Sequence, residues 1–220
     1  MNGVISKSYG DKKIFDGFSF DFQMHEITCV VGPSGVGKTT LLKAIAGFID
    51  FEGSIQDVGE TAFVFQEPRL LPHLTVRENL LYAGAQPLQA DAVIEKCRLS
   101  GVASQRADTL SGGEKQRTAL ARCVCRDADT WLLDEPFAAL DAPLKKALWQ
   151  DFAALWSEKQ PTAVLVTHDL EEAWCLAHRI LVLKDNAIVY DCRPTRTQFP
   201  TPYGEDSVEK QQFLRAVFGE

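Results

Sequence analysis

Nine residues constrain this chain more than any others. Gly32 to Thr40 read GPSGVGKTT and satisfy the pattern G-x-x-x-x-G-K-S/T. An apolar β-type run, Ile27-Thr28-Cys29-Val30-Val31, precedes them, and a helical run from Leu41 to Phe48 follows. That strand–loop–helix setting is what the pattern needs before it means phosphate binding. Glycines let the backbone turn tightly, so that several N–H groups of the stretch Gly32, Pro33, Ser34, Gly35, Val36, Gly37, Lys38, Thr39 and Thr40 point at one centre. A helix starting at Lys38 adds the positive end of its dipole. Lys38 then reaches the β- and γ-phosphates of a nucleoside triphosphate, and the Thr39 hydroxyl binds Mg²⁺.

The chain is sized for one domain or a domain with a subdomain: 220 residues, 45% of them hydrophobic and 24% charged. A net charge of -7 argues against a nucleic-acid surface and against adhesion to anionic lipid. No apolar run approaches the roughly 20 residues that cross a bilayer, and MNGVISKSYGDKK lacks the apolar region of a signal peptide. The expectation is a cytoplasmic protein. The six cysteines include no C-x-x-C. Cys123 and Cys125 lie two apart on a predicted helix, facing opposite ways, so they read as small core residues rather than metal ligands. His25, His73 and His178 have no motif partner and read as surface or supporting residues.

The texture along the chain changes twice. Through about Gly32 it is β-rich: Phe18-Ser19-Phe20-Asp21-Phe22 alternates like a half-buried strand, with Phe15 also core; after the phosphate loop and its helix, Gly53-Ser54-Ile55 and Thr61 to Phe65 are further strands, up to about residue 67. From about 68 to 128 helical patterns replace strands. From 129 to 220 strands return at Trp131, Ala163 and Ile180, separated by helices from Pro143 to Lys159 and from Leu170 to Ala177. The tail ends in an amphipathic helix near Val208 to Phe218. Strands alternating with helices predict a mostly parallel sheet covered on both faces, interrupted by a helical subdomain at 68–128.

Two more segments carry chemistry. Thr130-Trp131-Leu132-Leu133 is an apolar strand ending in Asp134 and Glu135. Ligands of open parallel sheets sit at the carboxyl ends of strands. Asp134 is thereby placed to hold Mg²⁺ beside Thr39, and Glu135 to take a proton from an attacking water. Such positioning and charge neutralisation is most of what phosphoryl transfer requires. Leu110-Ser111-Gly112-Gly113-Glu114-Lys115-Gln116-Arg117 opens with a capping box, Ser111 and Glu114, so a helix starts there. Gly112 and Gly113 expose first-turn N–H groups that form a second anion site.

LSGGEKQR, between a phosphate loop and an Asp–Glu strand, matches the signature of ABC ATPases, and the chain resembles an ABC transporter ATP-binding subunit over nearly its whole length. The resemblance implies an α/β fold: a three-layer P-loop core with an antiparallel β subdomain and an inserted α-helical subdomain. It implies ATP and Mg²⁺ as ligands. Gln66 matches the glutamine that meets Mg²⁺ and faces the transmembrane partner. Asp141 matches the D-loop aspartate, His168 the switch histidine near the γ-phosphate, and Tyr9 the aromatic residue that stacks on adenine. Gln66-Glu67-Pro68-Arg69-Leu70-Leu71-Pro72 and LDEPFAALDA are similar to importers of nitrate, sulfonates and taurine, although Ala138 stands where many of those carry glycine. The implied partners are integral-membrane permease subunits, a second copy of the chain or a paralogous ATPase chain, and a separate solute-binding protein, with no nucleic acid. The implied place is the cytoplasmic face of the inner membrane. The signature residues Ser111 and Gly113 would face the nucleotide of the opposite subunit, so a head-to-tail pair completes two sites. The alternative is an ABC ATPase acting on DNA or ribosomes. Against it stand the acidic charge and the lack of any heptad array between Thr40 and Ser111.

Overall fold

The computed structural model describes residues 1–218. β1 (Asn2–Tyr9) and β2 (Lys12–Asp21) form an antiparallel hairpin, followed by β3 (Ile27–Val31) and α1 (Lys38–Ile45). β4 (Glu52–Gln56) pairs antiparallel with β1, giving a three-stranded sheet ordered β2-β1-β4. β5 (Thr61–Val64) then leads to α2 (Val76–Tyr82), α3 (Pro87–Lys96) and α4 (Gly112–Cys125). The chain continues through β6 (Thr130–Asp134), α5 (Ala142–Lys159), β7 (Thr162–Val166), α6 (Leu170–Leu176), β8 (Arg179–Lys184), β9 (Ala187–Cys192) and α7 (Val208–Phe218). The large sheet is ordered β5-β6-β7-β3-β8-β9. Its first five strands are parallel and β9 closes the edge antiparallel.

Every residue of β3, β6 and β7 is buried, as strands covered on both faces must be. Period-two alternation sorts their side chains into two cores. Ile27, Cys29, Trp131, Leu133, Ala163 and Leu165 point to one face, with α4, α5 and α6 packed on it. Val30, Leu132, Val164, Val166, Leu181 and Leu183 point to the other, where α1 and the phenylalanines of β2 cover them. Phe15, Phe18 and Phe20 stack in sequence along that second core with Phe22 just beyond, as the alternation predicts. α2, α3 and α4 pack on one another in the 68–128 stretch, and α4 also touches β5. That contact explains the cysteines: Cys123 and Cys125 face opposite ways, yet both are buried because α4 is covered on several sides.

Three readings change. The apolar run from Leu41 to Phe48 does not stay helical. α1 stops at Ile45 and the chain turns at Gly47 (φ 69°), which throws Phe48 outward onto Phe63 and Phe65. β9 was not foreseen. It follows a two-residue turn at Asp185 and Asn186, both at positive φ (48° and 64°), as a tight hairpin requires. His178 is no surface residue. It sits between the rings of Trp156 and Phe199, and its Nδ1 accepts the Ile27 N–H at 3.1 Å. Burial, with Arg196 next in effect, pushes its pKa down to about 4, so it is a neutral structural acceptor.

Candidate active site

The carboxyl ends of β3, β5, β6 and β7 meet near the middle of the sheet, and each delivers one part of a single cleft of about 510 Å³. The loop after β3 supplies Ser34, Gly35, Gly37, Lys38, Thr39 and Thr40; the end of β5 leads to Gln66; the end of β6 supplies Asp134 and Glu135. Tyr9, half exposed at the end of β1, forms the rim with Lys12 and Ile14.

The loop's shape depends on its glycines. Gly37 caps α1 at φ 112°, and a Cβ there would come within 2.8 Å of Ile14 and Phe15. Lys38 Nζ donates to the carbonyls of Gly32 (2.7 Å) and Pro33 (3.0 Å), which ties the amine across the mouth of its own loop. Burial lowers the Lys38 pKa, while Glu135 and Asp134 act to raise it. Val36 is buried beneath the loop rather than facing the cleft.

Thr39 Oγ1 donates to Asp134 Oδ1 at 3.0 Å, so the loop and β6 are joined by side chains 95 positions apart in sequence. Asp134 is 2% exposed. Its pKa is raised, first by burial and then by Glu135, against the Thr39 hydrogen bond and nearby lysines. A buried carboxylate with a neighbouring carboxylate and a hydroxyl is a hard oxygen-donor set that Mg²⁺ would relieve of repulsion. Among the described residues no cluster of three or more His, Cys, Asp or Glu is arranged to hold a metal.

Glu135 has φ 52°, a left-handed conformation that costs a non-glycine residue about 1–3 kcal/mol. Three contacts hold it there. Its N–H donates to Val166 O at 2.8 Å, its carbonyl accepts from Gln116 Nε2 at 3.3 Å, and its Oε2 meets His168 Nδ1 at 2.5 Å. The Glu135 side chain is 13% exposed and that of His168 69%, so the carboxylate is shielded and the imidazole stands at its open side. Gln116 comes from α4, which links the signature helix to the Glu135 backbone. Neither it nor Lys12 and Ile14 was singled out from sequence.

Ser111, Gly112, Gly113 and Asp141 do not line this cleft. Ser111 and Glu114 form the expected reciprocal cap of α4, with Ser111 N–H donating to Glu114 Oε2 at 2.8 Å. Asp141 caps α5 by accepting the Leu144 N–H at 2.9 Å. A Cβ on Gly113 would lie 3.2 Å from Leu140, so the signature turn and the Asp141 loop are neighbours, both on the surface. The site residues thus fall into two groups, one inside the cleft and one outside it.

Comparison with known proteins gives the arrangement a lineage. The family described as ABC transporter matches residues 15–138. An aliphatic sulfonates import ATP-binding protein, SsuB 1, of Pseudomonas fluorescens is 42% identical over 190 residues, spanning 84% of this chain and 73% of that one. SsuB 2 of Burkholderia cenocepacia is 39% identical over 196 residues, 83% of this chain and 73% of its own. Among solved structures, the dimeric bacterial ABC transporter cassette MJ0796 superposes with a TM-score of 0.77 at 27% identity, covering 88% of this chain and 98% of that one. The same cassette bound to ADP and Pi after hydrolysis gives 0.75.

Proposed function

The chain belongs to the ABC transporter family, and from that premise we propose how its residues hydrolyse ATP and pass the work to a membrane partner. It is an ATP-hydrolysing subunit that powers import of a small solute through transmembrane subunits. One observation carries the reading. Lys38, Thr39, Asp134, Glu135 and Gln66, from three separate strand ends, converge on one cleft rimmed by an exposed tyrosine.

In this reading Tyr9 stacks on adenine, and the N–H groups from Ser34 to Thr40 hold the phosphates. Lys38 leaves the carbonyls of Gly32 and Pro33 for the β- and γ-phosphate oxygens. Thr39, Asp134 and Gln66 would hold Mg²⁺, whose charge offsets that of the phosphates. Glu135 accepts the proton of a water whose oxygen attacks the γ-phosphorus, and the bond to the β–γ bridging oxygen breaks to give ADP and phosphate. His168 orients Glu135 and meets the γ-phosphate. The left-handed backbone at Glu135 supports this role, since strain of that kind persists where geometry is needed for function.

Ser111, Gly112, Gly113 and Asp141 serve the nucleotide of a second copy, or of a paralogous chain, in a head-to-tail pair. The 68–128 helical stretch is a subdomain on the α/β core. Phe48, Phe63 and Phe65 stack beside Gln66, with Arg69 over the Phe65 ring at 4.1 Å. Phe48 is 54% exposed, and this aromatic face is the seat of a permease helix. The chain then lies on the cytoplasmic face of the inner membrane, with a separate solute-binding protein and no nucleic acid. No helix among the described residues is long and apolar enough to cross a membrane itself.

Purified chain with Mg²⁺ and ATP is expected to release phosphate. Lys38→Ala should abolish binding or turnover while the circular dichroism spectrum stays the same, because the amine's charge is needed only against phosphate. Unchanged turnover together with unchanged affinity for a fluorescent ATP analogue would remove the phosphate-loop assignment. Copurification of an integral-membrane protein tests the transport half of the reading; recovery of ribosomes or DNA instead would count against it.

A further inference from the structure

α6 has seven residues, and a helix that short does not hold itself together in water. It begins two residues after His168, with Asp169 as its cap, so its placement fixes the His168 backbone. From α5, Lys145 Nζ donates to Asp169 Oδ2 at 2.9 Å. The helix packs on β3 and α5, and residues 193–218 grip both of its ends. At the start of α6, Glu171 accepts from Lys210 Nζ at 2.5 Å and from the Gly204 N–H at 3.2 Å. At its end, the carbonyls of Trp174 and Cys175 have no intrahelical partner. Trp174 accepts from Arg196 Nη2 (3.3 Å), and Cys175 accepts from Arg196 Nη1 (3.1 Å) and the Thr201 N–H (3.0 Å). Phe213 of α7 is fully buried and stacks on Trp174 with ring centroids 5.9 Å apart.

Lys210 is 5% exposed, and its other bond is to Glu205 O at 2.8 Å. A buried amine is an expensive way to tie down a tail that an apolar side chain would hold as well. This one meets a carboxylate three positions from His168. We propose that the C-terminal segment 193–218 is a strap that sets the position of His168, with Lys210 and Glu171 as its positioning residues. The phosphate loop follows β3, on which α6 packs, but none of residues 193–218 lines the nucleotide cleft. Loosening the strap therefore leaves nucleotide binding intact and misaligns the His168–Glu135 pair, which matters in the hydrolytic step. The proposal rests on the reading of His168 as a site residue.

The test uses the full chain, with steady-state ATP hydrolysis and binding of a fluorescent ATP analogue measured at a temperature where circular dichroism shows each variant folded. Lys210→Met and Glu171→Gln should each lower kcat by about tenfold with affinity within about twofold of wild type. The double variant should be no worse than either single one, because both remove the same contact. Lys210→Arg should recover most of the turnover. If Lys210→Met does not fold, Glu171→Gln decides alone, since it keeps the shape of a partly exposed side chain. A kcat loss below about threefold, or a loss that falls on affinity instead, overturns the strap. His168→Ala is the control. If it abolishes turnover while the strap variants lose less than about threefold, the strap alone fails; if it leaves turnover unchanged, the His168 reading fails and the strap with it.

Discussion

At the scale of single residues, the proposed chemistry concentrates on Glu135. Its backbone is held at positive φ by Val166 and Gln116, and its carboxylate is shielded except toward His168. Glu135→Gln keeps the shape and loses the proton affinity. Turnover should fall by roughly 10²–10⁴ with ATP binding retained; hydrolysis within about twofold of wild type would show that another group is the base. Asp134, Glu135, Lys38 and Thr39 could be read from local strings, because each lies in a short segment whose neighbours announce a strand end or a helix start; Gln66 and His168 were placed only by the family resemblance. Lys12 and Ile14 could not, since the β1–β2 hairpin brings them to the rim beside Tyr9, nor could Gln116, whose contact with the Glu135 carbonyl joins distant segments. Glu172 was equally hidden. In sequence it is one more acid in the first turn of a helix; in the fold it is 1% exposed, with Oε1 lacking a hydrogen-bond partner. Burial and Asp169 push its pKa up to about 8, opposed by Lys145 of α5 and Thr167, while Glu135 and Cys29 of β3 also face it. Between the ordinary carboxylate value and about 8, the folded chain holds a proton that the unfolded chain has lost. Stability should therefore fall as pH rises through that window and level off above it. Glu172→Gln, neutral throughout, should show a smaller loss in urea midpoint between mildly acidic and mildly alkaline buffer. An identical loss in both proteins would mean that Glu172 is ionised in the fold.

At the scale of elements, what could be read was what is covered on both sides. β3, β6 and β7 are continuous apolar runs, and α4 announces itself by its capping box. β9 shows only partial burial along its length and follows a turn without glycine, so neither its pattern nor its boundary stood out. The end of α1 was misplaced because Phe48 prolongs the apolar run, whereas Gly47 ends the helix. The phosphate loop gives a test of how tightly elements fit. A Cβ on Gly32 would lie 2.2 Å from Leu183 O, a backbone atom of β8 that cannot move without disturbing the sheet. A Cβ on Gly35 would meet nothing within 4 Å. Both residues have positive φ, so both alanine variants carry conformational strain. Only Gly32→Ala adds overpacking, commonly worth about 1–3 kcal/mol. Its melting temperature should drop by several degrees more than that of Gly35→Ala, at roughly 2–4 °C per kcal/mol for a chain of this size. Equal melting temperatures would mean that the β3 loop is not seated against β8.

At the scale of the whole molecule, the division of site residues into two groups requires an explanation beyond one chain. The cleft holds the phosphate loop, Asp134 and Glu135; Ser111 and its glycines lie on the surface beside the Asp141 loop. If that surface carries half of a nucleotide site, it has to meet the other half on a second copy, and a two-fold pair satisfies both copies at once. Mixed dimers separate this from a site completed within one chain. If one chain carries Ser111→Arg and the other Lys38→Ala, head-to-tail pairing puts both defects in one composite site and leaves the other whole. If both changes lie in the same chain and its partner is unaltered, each composite site receives one defect. The first mixture should then keep about half of the wild-type turnover, and the second close to none, given that either lesion alone abolishes its site. A signature acting within its own chain demands the reverse order, because only the second mixture would contain an unaltered subunit. With differently tagged chains purified as pairs, the more active mixture identifies which copy completes the site.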